Sequence, residues 1–159
     1  MIFLGIDPGL NKTGWGIIQK CSNSLKYINS GVIKTKVDRE SIAEPLLEIF
    51  NEISNVILQY QPSYAAIENT YVNNNPISSL KLAQARAAAI VACAKNGLIA
   101  SEYQASTIKK VVSGKGNSNK DEIFKMLTLQ LGYIENKKYD DESDAIAVAM
   151  CDALFQKYS

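Results

Sequence analysis

Apolar and polar positions in the first part of the chain form short runs that indicate strands. These runs occupy residues 2–6, 14–19 and 26–35. The first run ends in a Pro-Gly turn, and the turn-prone Cys21-Ser22-Asn23-Ser24 separates the second from the third. Short runs bounded in this way predict a meander of three antiparallel strands.

The next segment has the period of a helix. From Ser41 to Tyr60 the apolar residues recur at intervals of three and four positions: Ile42, Leu46, Ile49, Ile53, Val56 and Ile57. This spacing predicts an amphipathic helix. Pro45 falls in its first turn, where a missing N–H does little harm, and Gln61-Pro62 ends it.

The remainder of the chain alternates between the two patterns. Strands are predicted at 64–68 and 98–103, a long helix from about Pro76 to Asn96 that Gly97 closes, and helices near 119–131 and 141–157. A Lys-rich segment precedes the last two helices. This order predicts an α/β fold with a mixed five-stranded sheet flanked by helices. Because we find no linker or repeat, residues 1–159 are interpreted as one domain.

The composition is that of a globular protein, with 47% hydrophobic and 21% charged residues. The net charge of +1 averages over the surface. If four acidic residues converge on one site, the remaining surface is basic and suits a polyanionic partner. Nearly all basic residues are Lys, with Arg39 and Arg86 as exceptions. Recognition of shape or phosphates is therefore expected, rather than bidentate Arg contacts to bases.

Several classes of chemistry are excluded by what the chain lacks. It has no His, which excludes a His-based triad, a His-ligated zinc and a His general base. Cys21, Cys93 and Cys151 are odd in number and widely spaced, so neither a disulfide framework nor a zinc site follows. The N-terminal apolar run has no basic lead-in, and no stretch has the apolar length of a membrane span. We expect a cytoplasmic protein without a membrane partner.

Acidic residues stand at the ends of apolar runs. Asp7 ends the first strand, where a charge is costly unless something compensates it, and a metal ion is one such compensation. The alternative is an Asp that accepts backbone hydrogen bonds in its turn. Glu68 ends the fourth strand and would adjoin Asp7 if those strands pair in parallel.

Two further acidic residues begin the last helix. Asp141 and Asp144 are three positions apart and share one helix face. Acidic residues in a first turn also have an ordinary role beside the helix dipole. However, Asp144 opens the apolar run from Ala145 to Met150, which favours an inward direction. A cluster of carboxylates selects Mg²⁺ or Mn²⁺. Two such ions roughly 3.5–4 Å apart can drive in-line displacement at a phosphodiester, which predicts a nuclease.

The motifs of the chain resemble the RuvC family of Holliday-junction resolvases, in register over nearly the whole length. The matching segments are Gly5-Ile6-Asp7-Pro8-Gly9, Thr13-Gly14-Trp15-Gly16, Ala66-Ile67-Glu68, Leu80-Lys81-Leu82-Ala83-Gln84-Ala85-Arg86, Gly114-Lys115-Gly116 and Asp141-Glu142-Ser143-Asp144-Ala145-Ile146-Ala147.

The resemblance implies a ribonuclease-H-like fold, a homodimer and paired, symmetric nicking of four-way DNA junctions. It implies two Mg²⁺ ions per active site, with Mn²⁺ as a substitute, and products with 5'-phosphate and 3'-hydroxyl ends. It also implies work alongside RuvA and RuvB in DNA recombination and repair. By motif position, the catalytic and metal-binding residues are Asp7, Glu68, Asp141 and Asp144.

The resemblance further implies DNA-binding residues. Tyr71 takes the place of an aromatic that stacks on a base near the cut, and its alternative is packing at the rim of the sheet. Lys109 and Lys120 match basic positions that hold the scissile phosphate and the backbone, and Lys115 lies in the same stretch. A solvated Lys face is the alternative reading, and we adopt it for Lys110.

Other features qualify the resemblance. Asp152 replaces a His that many relatives have in the last helix, and Pro45 replaces a frequent Arg. The long helix at 80–94 is rich in Ala, which fits either burial against the sheet or, as the resemblance implies, the dimer interface.

Three rival functions share parts of the pattern. Actin-like sugar kinases share the first motif but need two such domains. A single-domain nuclease acting on ribosomal RNA precursors also shares it, but Gly114-Lys115-Gly116 and the spacing of Asp141 and Asp144 argue against that function. A catalytically dead junction-binding module is at odds with the presence of all four carboxylates.

Overall fold

A computed structural model describes residues 1–22, 24–36, 41–69, 76–132 and 141–156. The elements in these ranges are β1 (Ile2–Asp7), β2 (Lys12–Cys21), β3 (Ser24–Lys34), α1 (Ala43–Tyr60), β4 (Tyr64–Asn69), α2 (Pro76–Lys95), β5 (Ala100–Gln104), α3 (Ala105–Ser113), α4 (Lys120–Leu131) and α5 (Asp141–Phe155).

The strands form a mixed sheet in the order β3-β2-β1-β4-β5. β1, β2 and β3 pair antiparallel, whereas β4 pairs parallel to both β1 and β5. The predicted mixed five-stranded sheet is therefore confirmed, including the meander and the parallel pairing of the first and fourth strands. Because β1 and β4 are parallel neighbours, their carboxyl ends meet at one edge of the sheet.

Each face of the sheet carries its own layer of helices. On one face Phe3 packs with buried residues of α3, α4 and α5, including Ile146 and Met150. On the other face Leu4 and Ile6 pack with α1 and α2. Successive residues of β1 thus serve opposite cores, as the period of two in a strand requires. This two-sided burial explains the nearly continuous apolar run of the first strand.

Helix α3 is the element that the sequence interpretation missed. It occupies the first half of the Lys-rich segment, and its buried residues are Ile108 and Val112, one turn apart. It follows β5 without a loop and ends at Gly114, whose φ of 83° allows its N–H to donate to the carbonyl of Lys110. A helix of nine residues with a single buried pair gives too weak a period to be recognised.

The three cysteines differ in their surroundings. Cys21 is exposed at the turn between β2 and β3, whereas Cys93 in α2 and Cys151 in α5 are buried. Burial raises the pKa of the Cys93 thiol to about 11. Burial and the charge of Asp152 raise the pKa of the Cys151 thiol to about 12.

Candidate active site

Three of the four predicted carboxylates line one cavity of about 240 Å³, namely those of Asp7, Glu68 and Asp144. Asp7 is the last residue of β1, and Glu68 lies near the end of the neighbouring parallel strand β4. Asp144 comes from the first turn of α5. The parallel pairing of β1 with β4 brings the first two together, and the packing of α5 on the sheet adds the third.

The start of α5 reaches Asp7 because β1 and β2 offer it a surface without side chains. Gly14 lies opposite Asp7 in the register of β1 and β2. A Cβ atom at Gly14 would lie 2.8 Å from the carbonyl carbon of Asp141, and one at Gly5 would lie 2.9 Å from Cβ of Ala149. Helix α5, which carries Asp141 and Asp144, therefore packs against the glycines that precede and follow Asp7 in the sequence.

Thr13 holds the turn that follows Asp7. Its buried hydroxyl donates to the carbonyl oxygen of Gly9 at 2.8 Å and accepts from the N–H of Gly9 at 3.3 Å. In the part of the chain that the structure describes, no hydrogen bond to the Asp7 carboxylate is found. The alternative role for Asp7, as an acceptor that stabilises its own turn, is therefore performed by Thr13.

Burial and neighbouring carboxylates raise the pKa values of Asp7 and Glu68. Burial, followed by the charges of Glu68, Asp144 and Asp141, raises the pKa of Asp7 to about 8, against an opposing effect of Lys120. Burial and the charge of Asp144 also raise the pKa of Glu68, opposed by Lys109 and Lys120. A cation in the cavity would offset both the desolvation and the repulsion.

The donor set fits a hard divalent cation in its chemistry, because it consists only of carboxylate oxygens. Among the described residues, however, no three Asp, Glu, His or Cys side chains stand close enough together to hold an ion. The carboxylates share a cavity in which burial and mutual repulsion favour a bound cation.

Asp141 stands apart from the other three. Its side chain lines a neighbouring cavity with Lys12 and Lys34, and its Oδ2 lies 3.8 Å from Nζ of Lys12. Its charge nevertheless contributes to the raised pKa of Asp7. Sequence reasoning did not single out Lys12; the only available signal was a basic residue five positions after Asp7.

Lys120 and Lys109 line the carboxylate cavity from two different helices. Lys120 is the first residue of α4, and its Nζ lies 3.7 Å from Oδ2 of Asp144. A capping box fixes this helix start: Oδ1 of Asn119 accepts from the N–H of Glu122 at 2.9 Å, and Oε2 of Glu122 accepts from the N–H of Asn119 at 3.0 Å. The helix predicted near 119–131 is thus confirmed, with Asn119 as its cap and Lys120 as its first residue.

Neither the predicted DNA contact Lys115 nor Lys110, which was interpreted as a solvated Lys, lines this cavity. Lys115 is exposed between α3 and α4, and Lys110 lines a separate open groove with Ser106 and Thr107. Tyr71 lies outside the described residues.

The two departures from the family pattern also lie away from the cavity lining. Asp152 is buried and accepts a hydrogen bond from the hydroxyl of Tyr103 at 2.8 Å, and burial raises the pKa of Asp152. Pro45 is buried in the first turn of α1, on the opposite face of the sheet.

The mixed sheet, with carboxylates at the ends of β1 and β4, defines a member of the ribonuclease-H-like fold class. The sequence matches the family described as crossover junction endodeoxyribonuclease RuvC over residues 3–152. The chain therefore belongs to the RuvC family.

Relatives of that name share about two fifths of their residues with this chain. The protein of Lawsonia intracellularis is 41% identical, over 98% of this chain and 91% of the relative. That of Rickettsia akari is 43% identical, over 94% of each.

Solved structures of similar proteins have the same fold. Thermus thermophilus RuvC in complex with a Holliday junction substrate superposes with a TM-score of 0.91 at 25% identity, over 99% of this chain and 96% of that one. The yeast mitochondrial Holliday junction resolvase shares the fold, with a TM-score of 0.67 at 14% identity, over 98% of this chain and 82% of that one.

Proposed function

We propose that this protein is a structure-selective endonuclease that resolves four-way DNA junctions by paired, symmetric nicks in recombination and repair. The observation that carries the proposal is the shared cavity of Asp7, Glu68 and Asp144, with Lys109 and Lys120 in its wall. Membership of the RuvC family supports the same substrate.

The carboxylates of Asp7, Glu68 and Asp144 would hold two Mg²⁺ ions, with Asp141 as the fourth ligand and Mn²⁺ as a substitute. Ions bound there supply an activated water and stabilise the leaving oxygen at a phosphodiester. Breakage of the bond between phosphorus and the 3' oxygen leaves 5'-phosphate and 3'-hydroxyl ends. Lys109 and Lys120 hold the non-bridging oxygens of the scissile phosphate and counter the charge that develops on them.

Affinity for the junction would come from Lys contacts to phosphates, among them Lys115. Its exposed position between α3 and α4 supports this role, because these two helices carry Lys109 and Lys120 in the cavity wall. Tyr71 remains the proposed stacking residue, on the family pattern alone.

We also propose that the protein acts as a homodimer through α2. This helix exposes large apolar side chains, with Ile77 66%, Leu80 65% and Val91 56% exposed. Contrary to the expectation from the sequence, one helix in the described part of the chain, α2, is long and apolar enough to cross a membrane by length and composition. However, it packs on the sheet face beside α1, and its Arg86 forms an ion pair with Glu102 of β5.

A second copy would cover the apolar face of α2 and leave both cavities open. A two-fold axis through this interface would present two active sites to a two-fold-symmetric junction. RuvA and RuvB are the partners that family membership suggests, and the cytoplasm is the corresponding location.

Cleavage of defined substrates tests the proposal. The purified protein is incubated with a synthetic four-way junction, with a DNA duplex of the same sequence and with an RNA duplex, each with and without Mg²⁺. We expect paired nicks in the junction only, and only with Mg²⁺. Cleavage of the RNA alone would instead support the nuclease of ribosomal RNA precursors, and ion-independent nicking would contradict the proposed mechanism.

A further inference from the structure

Lys12 and Asp141 form an ion pair beside the catalytic cavity. Lys12 is the first residue of β2, Asp141 is the first residue of α5, and their charged atoms lie 3.8 Å apart. Both side chains are partly open to solvent, at 59% and 41%. With Val32, Lys34 and Glu142 they line a cavity of about 330 Å³.

The pair keeps Asp141 out of the carboxylate cavity. Asp7, Glu68 and Asp144 line that cavity, and Asp141 does not. The backbone of Asp141 is fixed, because its carbonyl carbon packs against the bare Cα of Gly14. Rotation of the side chain would bring the Asp141 carboxylate toward the other three and away from Nζ of Lys12.

A second feature favours the contact. Lys12 lies directly opposite Lys34 in the register of β2 and β3. Like charges in this position repel each other, so an anion beside them is stabilising. Within the described residues, the anion that pairs with Lys12 is Asp141.

We propose that Lys12 is a positioning residue that competes with the divalent cation for Asp141. In the metal-free protein it holds the carboxylate at the rim, and binding of the cation must displace it. This inference rests on the metal-dependent function proposed above. It predicts that removal of Lys12 makes cation binding tighter, and by more than the loss of another positive charge from the same cavity does.

Calorimetric titration of the full-length protein with Mn²⁺, without DNA, tests the inference. Exposed ion pairs are weak, so Lys12→Met should bind the ion roughly two- to fivefold more tightly than wild type. Lys34→Met is the matched control, because it removes the same charge from the same cavity and leaves the ion pair intact. It should change the affinity less than Lys12→Met does.

A double-mutant cycle separates the contact from the general effect of charge. If Lys12 acts through Asp141, Lys12→Met changes the Mn²⁺ affinity of an Asp141→Asn background no more than Lys34→Met does. The Mg²⁺ concentration for half-maximal nicking should also fall in Lys12→Met, with the rate at saturating Mg²⁺ unchanged. Thermal unfolding of each variant verifies that it is folded.

The two proposals fail in different ways. Equal Mn²⁺ affinities for Lys12→Met and Lys34→Met, beside normal binding by wild type, would overturn the role of Lys12 alone. An equal effect of Lys12→Met with and without Asp141 would do the same. If neither wild type nor any variant binds Mn²⁺, both the metal-dependent function and this inference are overturned.

Discussion

Asp7 and Gly14 face each other across the β1–β2 pair, and the bare Cα of Gly14 is what allows the first turn of α5 to lie beside Asp7. A glycine without a functional side chain therefore allows the proposed catalytic carboxylates to lie close together. Gly14 both pairs with Asp7 in the register of β1 and β2 and contacts the start of α5.

Gly14→Ala should displace the start of α5. A Cβ atom there meets the backbone of Asp141 at 2.8 Å, and overpacking of this kind costs about 1–3 kcal/mol. Urea unfolding should show this loss, together with weaker Mn²⁺ binding. Gly116→Ala is the control, because its Cβ would lie 3.5 Å from the carbonyl oxygen of Ser106, an ordinary contact. Equal free energies of unfolding for the two variants would contradict the close packing of α5 on Gly14.

Asp7→Asn should abolish nicking and leave junction binding largely intact. Asp7 is proposed as a metal ligand, whereas the affinity for DNA comes from Lys contacts to phosphates. Nicking assays and fluorescence anisotropy measure the two properties separately. Asp121→Asn changes an exposed acidic residue of α4 and should retain wild-type nicking. A wild-type rate in Asp7→Asn would remove Asp7 from the active site.

Metal-free stability should fall as the pH rises toward 8. The pKa of Asp7 is raised to about 8 in the folded protein, and the unfolded value is about 3.9. The folded state thus retains a proton that the unfolded state has lost, and its stabilising effect disappears as the pH passes through 8. Urea unfolding in EDTA at several pH values measures this decline.

Asp7→Asn supplies the control for this pH dependence, since Asn carries no titrating proton. Its free energy of unfolding should vary less than that of wild type between pH 5 and 8. Parallel curves for the two proteins would assign the pH dependence to other groups.

Lys120→Ala should lower the nicking rate at saturating junction concentration. Its ammonium lies in the wall of the carboxylate cavity, close to where the scissile phosphate is proposed to bind. Lys115→Ala, at an exposed position between α3 and α4, should instead weaken binding and lower the slope of affinity against salt concentration by roughly one unit. Single-turnover rates and a salt titration distinguish these effects. An unchanged nicking rate at saturating junction concentration in Lys120→Ala would show that Lys120 contacts a phosphate without a role in the cleavage step.

Leu80→Glu should dissociate the proposed dimer. Leu80 on α2 is 65% exposed, and a buried charge at an interface is costly. Leu58→Glu on α1 is a control of matched exposure, 66%, and should leave the molecular mass in solution unchanged. Light scattering measures both. A Leu80→Glu variant with the mass of wild type would place the interface elsewhere or show that the protein is a monomer.

The sequence revealed those features that depend on burial and strand order. Apolar runs that end in Asp7 and Glu68 predicted two parallel neighbours with acidic ends, because burial on both faces leaves a continuous apolar signal. Helix α3 gave no such signal, because Ile108 and Val112 are its only buried residues and they stand among Lys residues. The direction of the Asp141 side chain was also not predictable, because it depends on a contact with Lys12, a residue distant in the chain.

The unequal burial of the three thiols makes the protein convenient to label. The thiolate is the reactive form, and the raised pKa values of Cys93 and Cys151 keep both largely protonated as well as inaccessible. A maleimide dye should therefore attach at Cys21 alone, at the end of β2 remote from Lys12 and the active site. Energy transfer between two such dyes would then follow the assembly of subunits on a junction without an engineered cysteine.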